Sequence, residues 1–227
     1  MITGATRLVA LVGHPVSASL SPEMQNVAFT ERELDWAYVA CDVAPELFEL
    51  AVRGLAAAGF AGANVTTPHK AAAASLAETE LASVNTLVFE DGRILGHSTD
   101  AAVLARITAE RPAILGAGGA ALAFRAALPD ARVFARKGDW PPDIHGADLI
   151  VNATSERDDV LVELVEGQTL VDLPYPETAT AVAALAAGAE VINGLEVLVA
   201  QGAASFQLWT GIPAPVEMMR GAVGLSS

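Results

Sequence analysis

Apolar runs of strand length alternate with stretches of helical spacing along the chain. Residues 7–12, 36–41, 62–65, 113–115, 132–134, 149–152, 170–173 and 190–192 are short and largely aliphatic, the pattern of strands buried on both faces. The segments between them place apolar residues at helical spacing, and the resulting rhythm predicts an α/β fold built on parallel strands. Helix starts are marked at Ser21-Pro22-Glu23 and Thr67-Pro68. In each, a hydroxyl suited to capping stands before a proline, whose missing N–H costs nothing in a first turn. One hairpin interrupts the alternation: residues 84–90 and 93–96 flank Asp91-Gly92, a pair that tolerates the positive φ angles of a two-residue turn. The style changes over residues 101–111, after which a short strand runs into a glycine-rich turn. A second domain is predicted to begin there.

Composition narrows the function more than the fold. The chain has 227 residues, of which 52% are hydrophobic, enough for one large core or two small ones. Its net charge of −14 repels phosphate backbones and anionic lipid, and no Lys/Arg-rich run offsets it locally. Neither nucleic acid nor a membrane is an expected partner, and an anionic small molecule would need a locally positive or hydroxyl-rich site. The mean hydropathy of +0.41 traces to alanine-rich helices, since no uncharged run approaches the ~18 residues of a membrane span. No basic segment followed by an apolar core marks a leader, so the expected location is cytoplasmic. The single cysteine, Cys41, ends the apolar run Ala37-Tyr38-Val39-Ala40 and is expected to be a buried structural thiol. The four histidines are scattered without ligand spacing, and no metal site is expected.

Pro112-Ala113-Ile114-Leu115-Gly116-Ala117-Gly118-Gly119-Ala120-Ala121 reads as a buried strand, a glycine turn and a helix start. Glycines at these positions allow a tight turn and a close backbone approach, so that N–H groups at the helix start can face a pyrophosphate. Such turns are common, and the discriminating position lies about 20 residues further on, where an NAD-binding domain sets an acid against the ribose 2′-hydroxyl. Here the second strand ends Val133-Phe134-Ala135-Arg136-Lys137, with two cations in place of the acid. That favours a 2′-phosphate and therefore NADP. The alternative is that Arg136 and Lys137 simply form a solvated strand end.

With that turn in view, the motifs of the whole chain resemble those of the shikimate dehydrogenase family. Gly13-His14-Pro15-Val16-Ser17-Ala18-Ser19-Leu20-Ser21-Pro22 is similar to the family's substrate-binding opening, and Gly62-Ala63-Asn64-Val65-Thr66-Thr67-Pro68-His69-Lys70 to its catalytic-lysine segment. Val84-Asn85-Thr86-Leu87 and Gly96-His97-Ser98-Thr99-Asp100 resemble the segments carrying a binding asparagine and the catalytic aspartate. Residues 148–155, 171–175 and 194–202 resemble the nicotinamide-side and closing-helix motifs. The resemblance implies two domains: an α/β substrate domain of residues 1–100 completed by 201–227, and a Rossmann-like NADP-binding domain of residues 101–200. It implies reversible NADP-dependent reduction of 3-dehydroshikimate to shikimate, a step of aromatic amino acid biosynthesis, by a monomer or homodimer. It puts Lys70 and Asp100 on the catalytic pair, and Ser19, Ser21, Thr66, Asn85, Gln201 and Tyr175 on the substrate side. Gly116, Ala117, Gly118, Gly119, Ala120, Arg136, Lys137, Thr154 and Gly194 fall on the cofactor side.

The chemistry asks for such a set. Hydride addition to a ketone leaves an alkoxide, so a proton must be delivered to that oxygen as the hydride arrives. A lysine held beside the oxygen can deliver it, and an adjacent aspartate can orient the ammonium. Without the motif, Lys70 would read as an exposed residue ahead of an alanine-rich helix, and Asp100 as an ordinary carboxylate at a helix start. Hydroxyls of Ser19 and Ser21 suit a carboxylate, and Asn85, Asp100 and Gln201 suit ring hydroxyls. Ser21 also has a competing duty as a helix cap, whereas Ser19 has none.

Some positions depart from the family pattern. Ala135-Arg136-Lys137 replaces Asn-Arg-Thr, Glu156-Arg157-Asp158-Asp159 follows Ser155 where glycine and methionine are usual, and Val197 replaces a methionine. The chain is also short between Lys70 and Asn85 and between Asp100 and Gly116. The alternatives left open are a quinate/shikimate-type dehydrogenase using NAD, and a shikimate-binding paralog with weak or absent hydride transfer.

Overall fold

The aliphatic runs become strands in the computed structural model, which describes residues 2–225 in two units, Met1–Thr99 with Val199–Ser227 and Asp100–Leu198. In the first unit, β1 (Arg7–Gly13), β2 (Trp36–Asp42) and β3 (Gly62–Val65) are parallel, and β4 (Thr86–Glu90) and β5 (Arg93–His97) add an antiparallel hairpin, giving the order β2-β1-β3-β4-β5. The hairpin turns as its sequence predicts: Glu90 pairs with Arg93, and Asp91 and Gly92 take φ of +50° and +76°.

Strand alternation assigns the two faces. Ala10 and Val12 of β1 pack with Phe48 and Val52 of α2 (Phe48–Ala57) and Ala73 of α3 (Lys70–Leu76). Val9 and Leu11 therefore turn to the other face, which takes α1 (Ser21–Glu31) and the C-terminal helices α6 (Gly194–Thr210) and α7 (Val216–Ala222). Phe29 of α1 stacks on Phe206 of α6 at 5.3 Å between ring centroids. Both rings are fully buried, which stabilises this layer by about 2–3 kcal/mol each.

The second unit is an all-parallel sheet in the order β10-β9-β8-β6-β7, from β6 (Pro112–Leu115), β7 (Arg132–Phe134), β8 (Leu149–Asn152), β9 (Thr169–Asp172) and β10 (Glu190–Ile192). Here the expected alternation of strand and helix fails. Between its strands only α4 (Gly119–Ala127) and α5 (Ala179–Ala186) stand as helices, while residues 135–148 and 153–168 cross without any. The sheet is covered all the same, because Ile144 from the first crossing and Leu161, Val162 and Leu164 from the second pack with α5 onto Ala113, Leu115, Ile150 and Leu170. Extended chain with a few apolar anchors replaces the missing helices.

Two predicted helix starts also move. α3 begins at Lys70 rather than near Pro68, because residues 66–69 form a turn closed by His69 N–H to Thr66 O at 2.9 Å. Ser21 is the first residue of α1 rather than its cap, with Leu20 at the N-cap position. After Asp100 stands a short 3-10 helix, Ala102–Arg106, in place of a full α-helix. Cys41 is half-buried against the core of the first unit, not fully buried, and that burial raises its thiol pKa. Among the described residues no helix is long and apolar enough to cross a membrane, and no group of three or more His, Cys, Asp or Glu could hold a metal ion.

Candidate active site

In the first unit the candidate substrate residues gather at the carboxyl ends of the parallel strands, where ligands of open α/β sheets bind. Ser19 and Ser21 follow β1, and Thr66 and Lys70 follow β3. Thr66 is fixed to β1 through its N–H on Val12 O at 2.9 Å. Lys70 is half-buried, and the residue before it is firmly anchored. The buried His69 ring stacks on Phe48 at 4.7 Å, and its Nε2 meets Val43 O at 2.8 Å.

The duties expected of the two serines are exchanged. Ser19 Oγ accepts the Ser21 N–H at 3.2 Å, so Ser19 does the local work. The Ser21 hydroxyl does not cap α1 and stands near enough to the Tyr38 hydroxyl to influence its ionisation. Burial pushes the Tyr38 phenol far above the usual range, with the Ser21 contact pulling the other way, so Tyr38 remains a neutral hydrogen-bond donor.

Tyr38 opens a buried network that the sequence reading missed. Its hydroxyl donates to Asn64 Oδ1 at 2.9 Å, and Asn64 Nδ2 reaches Asn85 O at 3.1 Å, Thr86 Oγ1 at 3.0 Å and Ser205 Oγ at 2.9 Å. Asn85 Oδ1 accepts the Thr99 N–H at 2.7 Å, while its Nδ2 donates to Thr99 Oγ1 at 2.9 Å and to Gln201 Oε1 at 3.4 Å. Two predicted substrate residues, Asn85 and Gln201, are thus brought together directly. A signal for this was present in the sequence: Asn64 and Thr86 are polar residues inside apolar strand runs, and Ser205 lies one helical turn beyond Gln201. A polar side chain at a core position needs buried partners. Asp100, 8% exposed, and the half-buried Tyr175 are assigned to the second unit.

The second unit carries the cofactor candidates. Gly116 leaves β6 with φ +119°, and a Cβ there would stand 2.8 Å from Ala153 O. Both the backbone conformation and the close approach require glycine. Ala117 and Gly118 complete the turn, and Gly119 and Ala120 open α4 with Gly118 at its N-cap position and no acidic residue in the first turn. β6 lies between β7 and β8, so this turn stands where the direction of sheet growth reverses, as in dinucleotide-binding sheets. The arrangement fits a pyrophosphate held by main-chain N–H groups.

Thr154 is placed by a chain of buried groups. Its N–H and hydroxyl donate to Asn152 Oδ1 at 3.1 and 2.8 Å, and Asn152 Nδ2 donates to Asp172 Oδ1 at 2.7 Å. Burial raises the Asp172 pKa, against hydrogen bonds from Thr178 and Asn152. Gly194 opens α6, where a Cβ would collide with the carbonyls of Leu173 and Pro174. Arg136 and Lys137 are exposed, but Arg136 is engaged: its Nη2 donates to Glu156 Oε2 at 2.7 Å, and its guanidinium lies 5.7 Å from the Trp140 ring centroid. The Arg136 hydrogen bond holds the Glu156 carboxyl below its ordinary value. Part of the guanidinium that would meet a 2′-phosphate is occupied by a carboxylate of the same chain.

The chain matches two family profiles, the shikimate dehydrogenase substrate binding domain over residues 11–87 and the shikimate 5'-dehydrogenase C-terminal domain over residues 194–223. It is 38% identical to a shikimate dehydrogenase (NADP(+)) of Anaeromyxobacter dehalogenans, with 95% of each chain covered, and 38% identical to one of Methanopyrus kandleri, with 98% of this chain and 96% of that protein covered. The first alignment runs over 266 positions although this chain has 227 residues, so the relative carries residues that this chain lacks. Two solved structures are similar throughout. The shikimate dehydrogenase of Aquifex aeolicus superposes with a TM-score of 0.89 at 29% identity, covering 99% of this chain and 100% of that one. The enzyme of Thermus thermophilus, in complex with NADP(H) and shikimate, superposes with a TM-score of 0.86 at 29% identity, covering 96% and 98%. On sequence and fold together, the chain belongs to the shikimate dehydrogenase family.

Proposed function

We propose that this protein is an NADP-dependent shikimate dehydrogenase, reducing 3-dehydroshikimate reversibly to shikimate, with Lys70 and Asp100 as its proton-handling pair. The observation that carries the reading is the buried hydrogen-bond network that fixes both ends of the Asn85 amide on Thr99 and brings Gln201 to it. A polyhydroxylated ring needs donors and acceptors in fixed directions, and a buried network whose amides are already oriented supplies them. Ser19 and Ser21 face the carboxylate.

NADPH, when bound, supplies the hydride. Lys70 gives its proton to the developing alkoxide and recovers it from the shikimate hydroxyl in reverse, and Asp100 keeps the ammonium oriented. Gly116 to Ala120 would hold the pyrophosphate, Thr154 and Gly194 would border the nicotinamide side, Arg136 and Lys137 would meet the 2′-phosphate, and Tyr175 belongs with the substrate residues. A second reading, a dehydrogenase that also accepts NAD, is favoured by the Arg136–Glu156 pair, which blunts the preference for a 2′-phosphate. We place the enzyme in the cytoplasm as a monomer or homodimer, with small-molecule substrates rather than nucleic acid or membrane as partners. Turnover of shikimate and quinate, each with NADP and NAD, tests the reading, with Lys70→Ala as control. The expected result is fastest turnover with shikimate and NADP. No NADPH formation from shikimate by the folded protein would overturn it.

A further inference from the structure

Ser205 is fully buried in α6, one turn beyond Gln201. A hydroxyl has one hydrogen to give and two lone pairs to offer. Here the hydrogen goes to the main-chain carbonyl of Gln201 at 3.0 Å, Asn64 Nδ2 donates at 2.9 Å, and the hydroxyls of Thr86 and Thr99 lie at 2.9 and 3.1 Å. A serine inside a helix commonly bonds back to the carbonyl four residues earlier. That habit explains the Gln201 contact and none of the other three. Partners from β3, β4, the segment after β5 and α6 converge on one oxygen, and each leads to the candidate site. Asn64 also holds the Asn85 carbonyl, Thr86 Oγ1 lies 3.3 Å from Asn85 Oδ1, and Thr99, the residue before Asp100, is locked to Asn85 through both its N–H and its hydroxyl.

We infer that Ser205 is a positioning residue for the reaction: it ties Asn85, Thr99 and the turn of α6 bearing Gln201 to a single point, so that both amides meet the substrate already oriented. The inference rests on reading Asn85 and Gln201 as substrate-binding residues. Its physical basis is that alanine at 205 leaves the Asn64 amide and two threonine hydroxyls to find new partners in a closed space. The partners that remain to them are one another and Asn85, so the rearrangement falls on Asn85, which then loses its fixed direction.

The test is a double-mutant cycle of Ser205→Ala with Asn85→Ala, measuring kcat and KM for shikimate and for NADP. Ser205→Ala lowers kcat/KM for shikimate by about tenfold, mostly through KM, in line with the cost of a small misplacement. KM for NADP stays within about twofold, because the network lies wholly in the first unit. In the Asn85→Ala background the same substitution costs less than about threefold, since the residue it positions is gone. Ser205→Cys, which keeps a weak polar atom at nearly the same volume, falls between wild type and alanine. It replaces Ser205→Ala in the cycle should the alanine protein fail to fold. Wild-type kinetics for Ser205→Ala, an equal loss in both backgrounds, or equal losses for shikimate and NADP would overturn the inference. Wild-type kcat/KM for Asn85→Ala would instead overturn the substrate-site reading, and this inference with it.

Discussion

The two units solve the same problem of holding a ligand in different ways. In the first, the candidate substrate residues are backed by six uncharged side chains, Tyr38, Asn64, Asn85, Thr86, Thr99 and Ser205, all buried and linked by hydrogen bonds. In the second, the glycine turn is fixed by backbone conformation, but the residues that would choose between NADP and NAD form an exposed charge pair. A buried neutral network is costly to alter because each member leaves another unpaired. An exposed ion pair is worth little and can change freely. The candidate substrate residues are thus braced by the core of the first unit, and the candidate residues for cofactor choice stand on the surface of the second.

The largest effect falls on the proton donor. Lys70→Ala lowers kcat by about 10³-fold, within the range general acid–base groups contribute, while shikimate binding measured by calorimetry changes little. A loss of binding as large as the loss of turnover would make Lys70 an anchor instead. Next comes the glycine turn. Gly116→Val forces a β-branched residue to φ +119° and against Ala153 O, and a strain of this kind weakens NADP binding by up to about 100-fold. Shikimate affinity should stay at the wild-type value, and a parallel loss of both ligands would break the separation of the two units.

Smaller changes probe the surface pair. Glu156→Gln frees Arg136 and tightens NADP binding by about fivefold, leaving NAD unchanged, as befits an exposed ion pair. Calorimetry with each cofactor reads this directly, and weaker NADP binding would mean that Glu156 orients Arg136 rather than competing for it. The smallest effect concerns pH. Partial burial of Asp148 opposes its ionisation, but the N–H groups of Glu110 and Arg111, at 2.7 and 2.9 Å, outweigh it and hold its carboxyl below the ordinary 3.8. A carboxyl depressed in the folded state contributes stability above its unfolded value and loses it as pH falls through the folded one. The thermal midpoint of the wild type should therefore drop below pH about 4 by more than that of Asp148→Asn, whose hydrogen bonds are worth about 1 kcal/mol.

Much of the molecule was legible in the sequence because period, glycine placement and motif order are local. The strands at 36–41 and 149–152, the Asp91-Gly92 hairpin and the glycine turn needed no knowledge of distant residues. The helix expected at Thr67-Pro68 did not form there, because a turn between Thr66 and His69 took the first hydrogen bond. The crossings at 135–148 and 153–168 lack helices for a reason invisible to local pattern: Ile144, Leu161, Val162 and Leu164 cover the sheet by long-range packing alone.

By itself the sequence determined the α/β class, the two-part organisation and the family, and it singled out Lys70 and Asp100 as candidates, since each depends on residue type and order along the chain. Only the tertiary structure decided what those residues touch. It gave Ser19 the local hydrogen bond expected of Ser21, joined Tyr38 to Asn64, paired Arg136 with Glu156, and gathered Asn64, Asn85, Thr86, Thr99 and Ser205 from separate elements into one network. Hydrogen bonds reach only about 3 Å, and which side chains come within that reach is settled when strands and helices far apart in the chain pack together.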